Sequence, residues 1–279
     1  MYDSHTHTIN SPDSTQTIDD LCLAAIEKGV TGVAITDHTH ADPAYQNYFP
    51  GFVPEPAIRQ SIKDALYAKE KYGHTLDVTC GIEVDEYLNN PKENDKLLEL
   101  YDFDVVLGSI HYLANKPWKL QYSKIPYGSS ISDTEILDYL KAYFEAVCLV
   151  AEKTDIDVLT HLTCPMRYVN GRHKKGIDIT NLEPLIKDIL KVIISRNIAL
   201  EINTAGILRE EFGCFLCPEK NIIKTYRDMG GKLLTLGSDA HRKTDVAVGF
   251  KETKAILKEI GFDKYHFFKN RKPMEISID

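Results

Sequence analysis

No apolar run in the sequence approaches the roughly 20 residues of a membrane-spanning helix. The first residues carry no basic start, apolar stretch and small-residue cleavage site of the kind a secretory signal has. Basic charge is not in excess either: 33 Lys and Arg stand against 41 Asp and Glu, a formal net charge of −8. A protein whose main task is gripping nucleic acid or an anionic membrane through a basic surface is therefore not expected. Six cysteines are scattered through 279 residues, a chain too large to need disulfide staples, so reduced thiols and a cytoplasmic location are expected. Cys214 and Cys217 have CxxC spacing, but no second pair completes a structural zinc site, and plain thiols are the simpler reading. Internal repeats, linkers and low-complexity tracts are also missing, which leaves a single domain over residues 1–279 as the expectation.

What is present is an alternation of short β-branched apolar runs with amphipathic stretches, the pattern of a parallel α/β fold. Seven strands are expected, at Tyr2 to Thr6, Gly32 to Thr36, Leu76 to Ile82, Asp104 to Ser109, Asp157 to Thr160, Ile198 to Ile202 and Lys232 to Leu236. Thr17, with Asp19 and Asp20 behind it, reads as a helix cap; Ser132 to Glu135 and Thr180 to Glu183 read as capping boxes. Pro218 stands where a first helical residue is expected. Three longer connections, residues 40–56, 112–131 and 162–179, have the length of lids or binding loops.

Each strand's C-terminal end carries a polar group. The ends supply His5 and His7; Asp37 and His38; Glu83; His111; His161; Glu201 and Asn203; and Asp239 and His241. Six of ten histidines fall at these ends. In a closed α/β barrel all strand C-termini ring one mouth, whereas an open sheet would string the same residues along a line. One histidine at a strand end is ordinarily a hydrogen-bonded structural residue. Six of them crowded with carboxylates are what divalent cations organise.

His-Thr-His near the start, then TDH, an isolated Glu, two isolated histidines and DAH resemble the polymerase and histidinol phosphatase (PHP) superfamily, over residues 5 to 241. The resemblance implies a distorted seven-stranded (β/α)7 barrel, TIM-barrel-like, with two to three divalent ions (Zn, Mn or Fe) at the C-terminal mouth. It places the first ion on His5, His7, Glu83 and Asp239. A second would sit on Glu83, His111 and His161, and a third on Asp13, His38 and His241. Many relatives have histidine where this chain has Asp13, which shifts preference at that position towards harder metals. The free-standing length, the GSIHYL stretch leading to Trp118, and EINTAG look like the histidinol-phosphatase branch. That branch implies hydrolysis of L-histidinol phosphate, in histidine biosynthesis, by a metal-bridging hydroxide held among Glu83, His5, His7, His111, His161 and Asp239. A related phosphoesterase acting on another small phosphate or on phosphotyrosine, and a non-catalytic metal-binding module, are the alternatives.

Three divalent ions against Asp13, Glu83 and Asp239 would leave a pocket of about plus three, which favours a phosphate dianion. Arg167 and Arg209 stand on loops over the same mouth, as phosphate clamps or as solvated surface residues. Arg172 reads as part of a charged loop. Asn203 and Trp118 complete the candidate substrate contacts; Tyr112, Trp118 and Tyr122 either cover a flat heterocycle or pack against the barrel's outside. The expected partner is a small phosphate ester, without nucleic acid or membrane; the sequence leaves the oligomeric state open.

Overall fold

In the computed structural model, which describes residues 1–114, 120–128 and 131–279, strand and helix alternate from the second residue onward. The order is β1 (Tyr2–Thr6), α1 (Ile18–Glu27), β2 (Gly32–Ile35), α2 (Pro54–Tyr72), β3 (Asp77–Asp85), α3 (Pro91–Leu98), β4 (Val105–Ser109), α4 (Asp133–Lys153) and β5 (Val158–Leu159). It continues through α5 (Cys164–Met166), α6 (Glu183–Arg196), β6 (Ala199–Asn203), α7 (Lys220–Asp228), β7 (Leu234–Gly237), α8 (Phe250–Ile260), β8 (Lys264–Lys269) and β9 (Lys272–Ser277). Strands neighbour one another in chain order, β1 to β9. All pairs are parallel until β8 and β9, which form an antiparallel hairpin.

The seven expected strands are present, but the sheet has nine. The hairpin escaped notice because β9 alternates mostly between exposed and half-exposed positions and its turn carries no glycine. Asn270 and Arg271 both take positive φ, 50° and 59°, as a two-residue type I′ turn requires. No continuous ladder joins β1 to the far strands among the described residues. Just beyond β7, Asp239 N–H donates to His5 O at 2.8 Å and His7 N–H to Ala240 O at 3.0 Å, which links that end of the sheet to β1 without a ladder.

Period-two alternation gives the sheet two interiors. One face packs on the helices in a large apolar core that includes Val33, Ile35, Val106, Leu159, Leu200 and Ile202. The opposite face encloses a small cluster of Ala34, Val105, Leu107, Val158, Ala199, Phe267 and Phe268. Continuing along that inner face, β6 passes from Ala199 to Glu201 and Asn203, and β4 from Leu107 to Ser109. The inner face thus has an apolar end, to which Phe267 and Phe268 of the hairpin contribute, and a polar mouth.

Local sequence sets the helix starts. Thr17–Asp20 and Ser132–Glu135 form reciprocal capping boxes on α1 and α4. Thr180–Glu183 does not, because the Thr180 hydroxyl donates to Asp178 at 2.6 Å instead. Pro218 precedes α7, whose N-cap is Glu219, so it is not the first helical residue. The connection after β5 folds as α5 and a wide turn over Arg167–Arg172. No described helix is long and apolar enough to cross a membrane.

Candidate metal centre

Glu83 is the hub of the mouth. It is fully buried on the inner face of β3. Its Oε2 stands 3.1 Å from His5 Nε2, 3.4 Å from His7 Nε2 and 3.0 Å from His38 Nδ1. Its Oε1 stands 3.1 Å from His161 Nε2 and 3.8 Å from His111 Nε2. Asp239 Oδ1, just after β7, lies 3.7 Å from His5 Nε2 and 3.4 Å from His7 Nε2. At the outer edge Asp13 reaches His241 Nε2 at 3.4 Å and His38 Nε2 at 4.0 Å. All nine residues expected as ligands therefore come together, although they span positions 5 to 241.

A second set of groups orients them. His5 Nδ1 is 2.6 Å from Glu201 Oε1, and Glu201 Oε2 accepts from the backbone N–H of His161 at 2.7 Å. Ser11 donates to Asp37 at 2.8 Å, so its oxygen is left to accept from His7 Nδ1 at 3.1 Å. Asp85, on the same inner face of β3 as Glu83, takes the Nδ1 atoms of His38, His40 and His111 at 2.9, 3.1 and 3.2 Å. Carboxylates that hold the far nitrogen of an imidazole fix its tautomer and aim the other lone pair.

That orientation tests whether a cation fits. With both Nδ1 atoms committed as donors, His5 and His7 turn lone pairs towards each other across 3.0 Å, beside Glu83 and Asp239. Lone pairs and carboxylates facing inward repel unless a proton or a metal stands among them. A nitrogen and oxygen set of this kind suits divalent transition metals. Groups of donor atoms close enough to share an ion include His5, His7 and Glu83; His7, His38 and His241; and Asp13, His38 and His40.

Electrostatics follow from the crowding. Burial works against charge on Glu83, Asp85 and Asp239, but neighbouring imidazoles, His38 and His5 foremost, hold all three well below the carboxylate range. Burial likewise opposes the imidazolium of His5, yet Glu201 and Glu83 raise it well above its ordinary value. His38 is raised in the same way by Asp85 and Glu83. His111 is pushed up to about 9 by Asp85 against burial. His7, buried and beside His241 and His38, is pushed down to about 3. Backbone strain collects here too: His40, Glu86, His161 and Asp239 all have positive φ, between 26° and 54°, a conformation unfavourable to residues with a Cβ and retained mostly at functional sites.

A cavity of about 140 Å³ opens over the cluster, lined by Asp13, His38, His111, Asp239 and His241 together with Arg167 and Tyr122. Arg167 is 4% exposed; its Nη2 donates to Asn203 Oδ1 at 2.6 Å and its Nε is buried without a partner. Asn203 turns its amide nitrogen to Asp239 Oδ2 and Glu201 Oε2, both at 3.3 Å. Arg209 instead pairs with Asp245 at 2.6 Å, outside the residues lining the cavity. Arg172 stacks over Phe212 and Tyr168. Tyr112 packs edge-on against Tyr45, and Trp118 lies outside the described residues. All six cysteines are free thiols.

Sequence reading missed Asp85 and left His40 undecided. The signal for Asp85 was its spacing of two from Glu83, hidden by ending that strand at Ile82.

Glycine is required at position 237. A Cβ there would collide with Glu201 Oε1 and lie 2.7 Å from His5 Cβ. Gly237→Ala is expected to displace both and lower metal affinity by about 10- to 100-fold, the usual effect of losing an orienting partner. Competition with a chromophoric chelator measures it.

A PHP domain model matches residues 3–205, and the chain belongs to that family. Among its relatives, the probable histidinol-phosphatase of Clostridium acetobutylicum is 31% identical over 269 residues, covering 95% of this chain and 97% of that protein. The probable histidinol-phosphatase of Thermotoga maritima is 27% identical over 264 residues, covering 94% of each. The crystal structure of histidinol phosphate phosphatase from Lactococcus lactis, complexed with zinc, L-histidinol and phosphate, superposes with a TM-score of 0.77 at 20% identity, covering 98% of both chains.

Proposed function

We propose that this protein is a metal-dependent phosphomonoesterase that hydrolyses L-histidinol phosphate to L-histidinol and phosphate, acting in the cytoplasm as a single-domain enzyme. The observation that carries the reading is the convergence of nine ligand residues on one buried cluster around Glu83, under a cavity that a buried arginine also lines. Full-length similarity to histidinol-phosphatases selects the substrate. Two to three zinc, manganese or iron ions are proposed, the inner pair on His5, His7, Glu83, Asp239, His111 and His161, and an outer one on Asp13, His38 and His241. Ions bound there supply Lewis acidity and lower the pKa of coordinated water towards 7.

The chain's own groups do the rest. Glu83, with Oε2 facing His5 and His7 and Oε1 facing His161 and His111, would help to hold both inner ions. Glu201 and Asp85 hold the imidazoles in the tautomer that presents a lone pair. Arg167, fixed by Asn203 and with Nε unpartnered, is placed to clamp a phosphate oxygen. The apolar floor below excludes water and strengthens each of these interactions.

The test is phosphate release across L-histidinol phosphate, a sugar phosphate, a nucleotide and phosphotyrosine. The highest kcat/KM is expected for L-histidinol phosphate, and a clear preference for another ester overturns the assignment. Arg167→Ala is expected to reduce kcat/KM by about 100-fold or more, as for loss of an oxyanion donor, with metal content unchanged. Equal losses of metal and activity would make Arg167 structural.

A further inference from the structure

His40 is two residues beyond His38, on the turn that leaves β2, and its backbone is held in a left-handed conformation with φ 41°. Its ring is buried and stacks nearly parallel to His38, at 4.4 Å between centroids and 13° between planes. Tyr45 covers the other side at 3.8 Å. One carboxylate governs both imidazoles: Asp85 Oδ1 meets His38 Nδ1 and Asp85 Oδ2 meets His40 Nδ1. Asp85 also accepts from the His40 backbone N–H at 2.9 Å, which fixes the residue from two directions.

With Nδ1 spoken for, the remaining nitrogen of His40 carries the lone pair. That Nε2 is buried and has no partner, and His40 is part of the cavity lining that includes Asp13 and His241. His40, His38 and Asp13 each place a donor atom within 4.8 Å of the others, close to the span a single ion bridges.

We propose that His40 is an additional ligand of the outer metal position, joining Asp13, His38 and His241. This rests on the metal-dependent reading above and adds to it a residue type at a position that the strand-end pattern did not assign. A buried imidazole nitrogen without a partner is rare in folded proteins. A carboxylate on the opposite ring nitrogen is the usual companion of a metal-bound histidine.

The experiment compares wild-type protein with His40→Phe and His40→Gln. Phenylalanine keeps a ring to stack on Tyr45 but offers no nitrogen. Glutamine keeps a polar group within reach of Asp85. Zinc stoichiometry and the dissociation constant of the weakest-bound equivalent are read by chelator competition, alongside a thermal melt. The wild-type protein loaded with cobalt is examined by X-ray absorption to count imidazoles.

Three equivalents in the wild type, with the weakest bound at least tenfold less tightly in both variants and the inner two unchanged, support the proposal. So does an imidazole count that needs His40 as a ligand. An unchanged weakest constant in either folded variant overturns it and makes His40 a packing residue, while the inner pair and the phosphatase reading stand. Two equivalents in the wild type also overturn it, since no outer ion remains to be held. A wild type that binds no metal and still turns over substrate would bring down the broader reading as well.

Discussion

Glu83→Gln is expected to lower the rate of phosphate release by about 1,000-fold or more, the scale of losing a principal electrostatic group of a metal-assisted site. Both oxygens of Glu83 face imidazole nitrogens, with five histidines inside 4 Å of one or the other. An amide has one weaker acceptor and turns N–H groups towards nitrogens that should present lone pairs. Metal content should therefore fall together with activity, while far-UV circular dichroism stays close to wild type. Full metal content and undiminished turnover would show that the reacting centre lies elsewhere.

Removing metal with a chelator is the second large effect. An ion present at a thousand times its dissociation constant stabilises the fold by about 4 kcal/mol. At about 2 to 4 °C per kcal/mol for a chain of this size, the melting temperature should drop by roughly 10 °C.

The gap between loaded and metal-free protein should also depend on pH. In the metal-free protein His5 and His38 are raised well above the imidazole range and His111 to about 9. A raised folded-state pKa contributes stability that is fully present below the unfolded value of about 6.5 and is lost as pH climbs through the folded value. Metal-free protein therefore loses stability between pH 6.5 and 9, and the difference in melting temperature widens. Reloading must expel the same protons, so apparent affinity rises over this window. Calorimetry in two buffers of different ionisation enthalpy reads the protons directly; an affinity that falls with rising pH would contradict the assignment.

Most of the site could be read in the chain because a parallel α/β fold obeys a simple rule about where its strands end. His5 and His7 share a face by period two, and TDH, GSDAH and the isolated Glu83, His111 and His161 each follow an apolar run. What stayed hidden depends on tertiary competition. Asp85 fell outside the expected strand, since nothing local says that β3 runs three residues past Ile82. Arg209 and Arg167 occupy similar loops after strands, and only the fold shows that Asp245 engages one while Asn203 turns the other inward. Thr180 had a partner at the right spacing for a cap, but Asp178 was nearer. The β8–β9 hairpin carried neither a glycine turn nor a clean alternation, so nothing local pointed to Phe267 and Phe268 as members of the inner apolar cluster.

The packing of that cluster bears on how ligands come and go. With Phe267 and Phe268 packed in the inner apolar cluster, an ester hydrolysed as proposed would enter, and its products leave, through the cavity on the Asp13 side. Emptying that cavity would then belong to every cycle, and phosphate left behind would stand as a direct rival to the next ester.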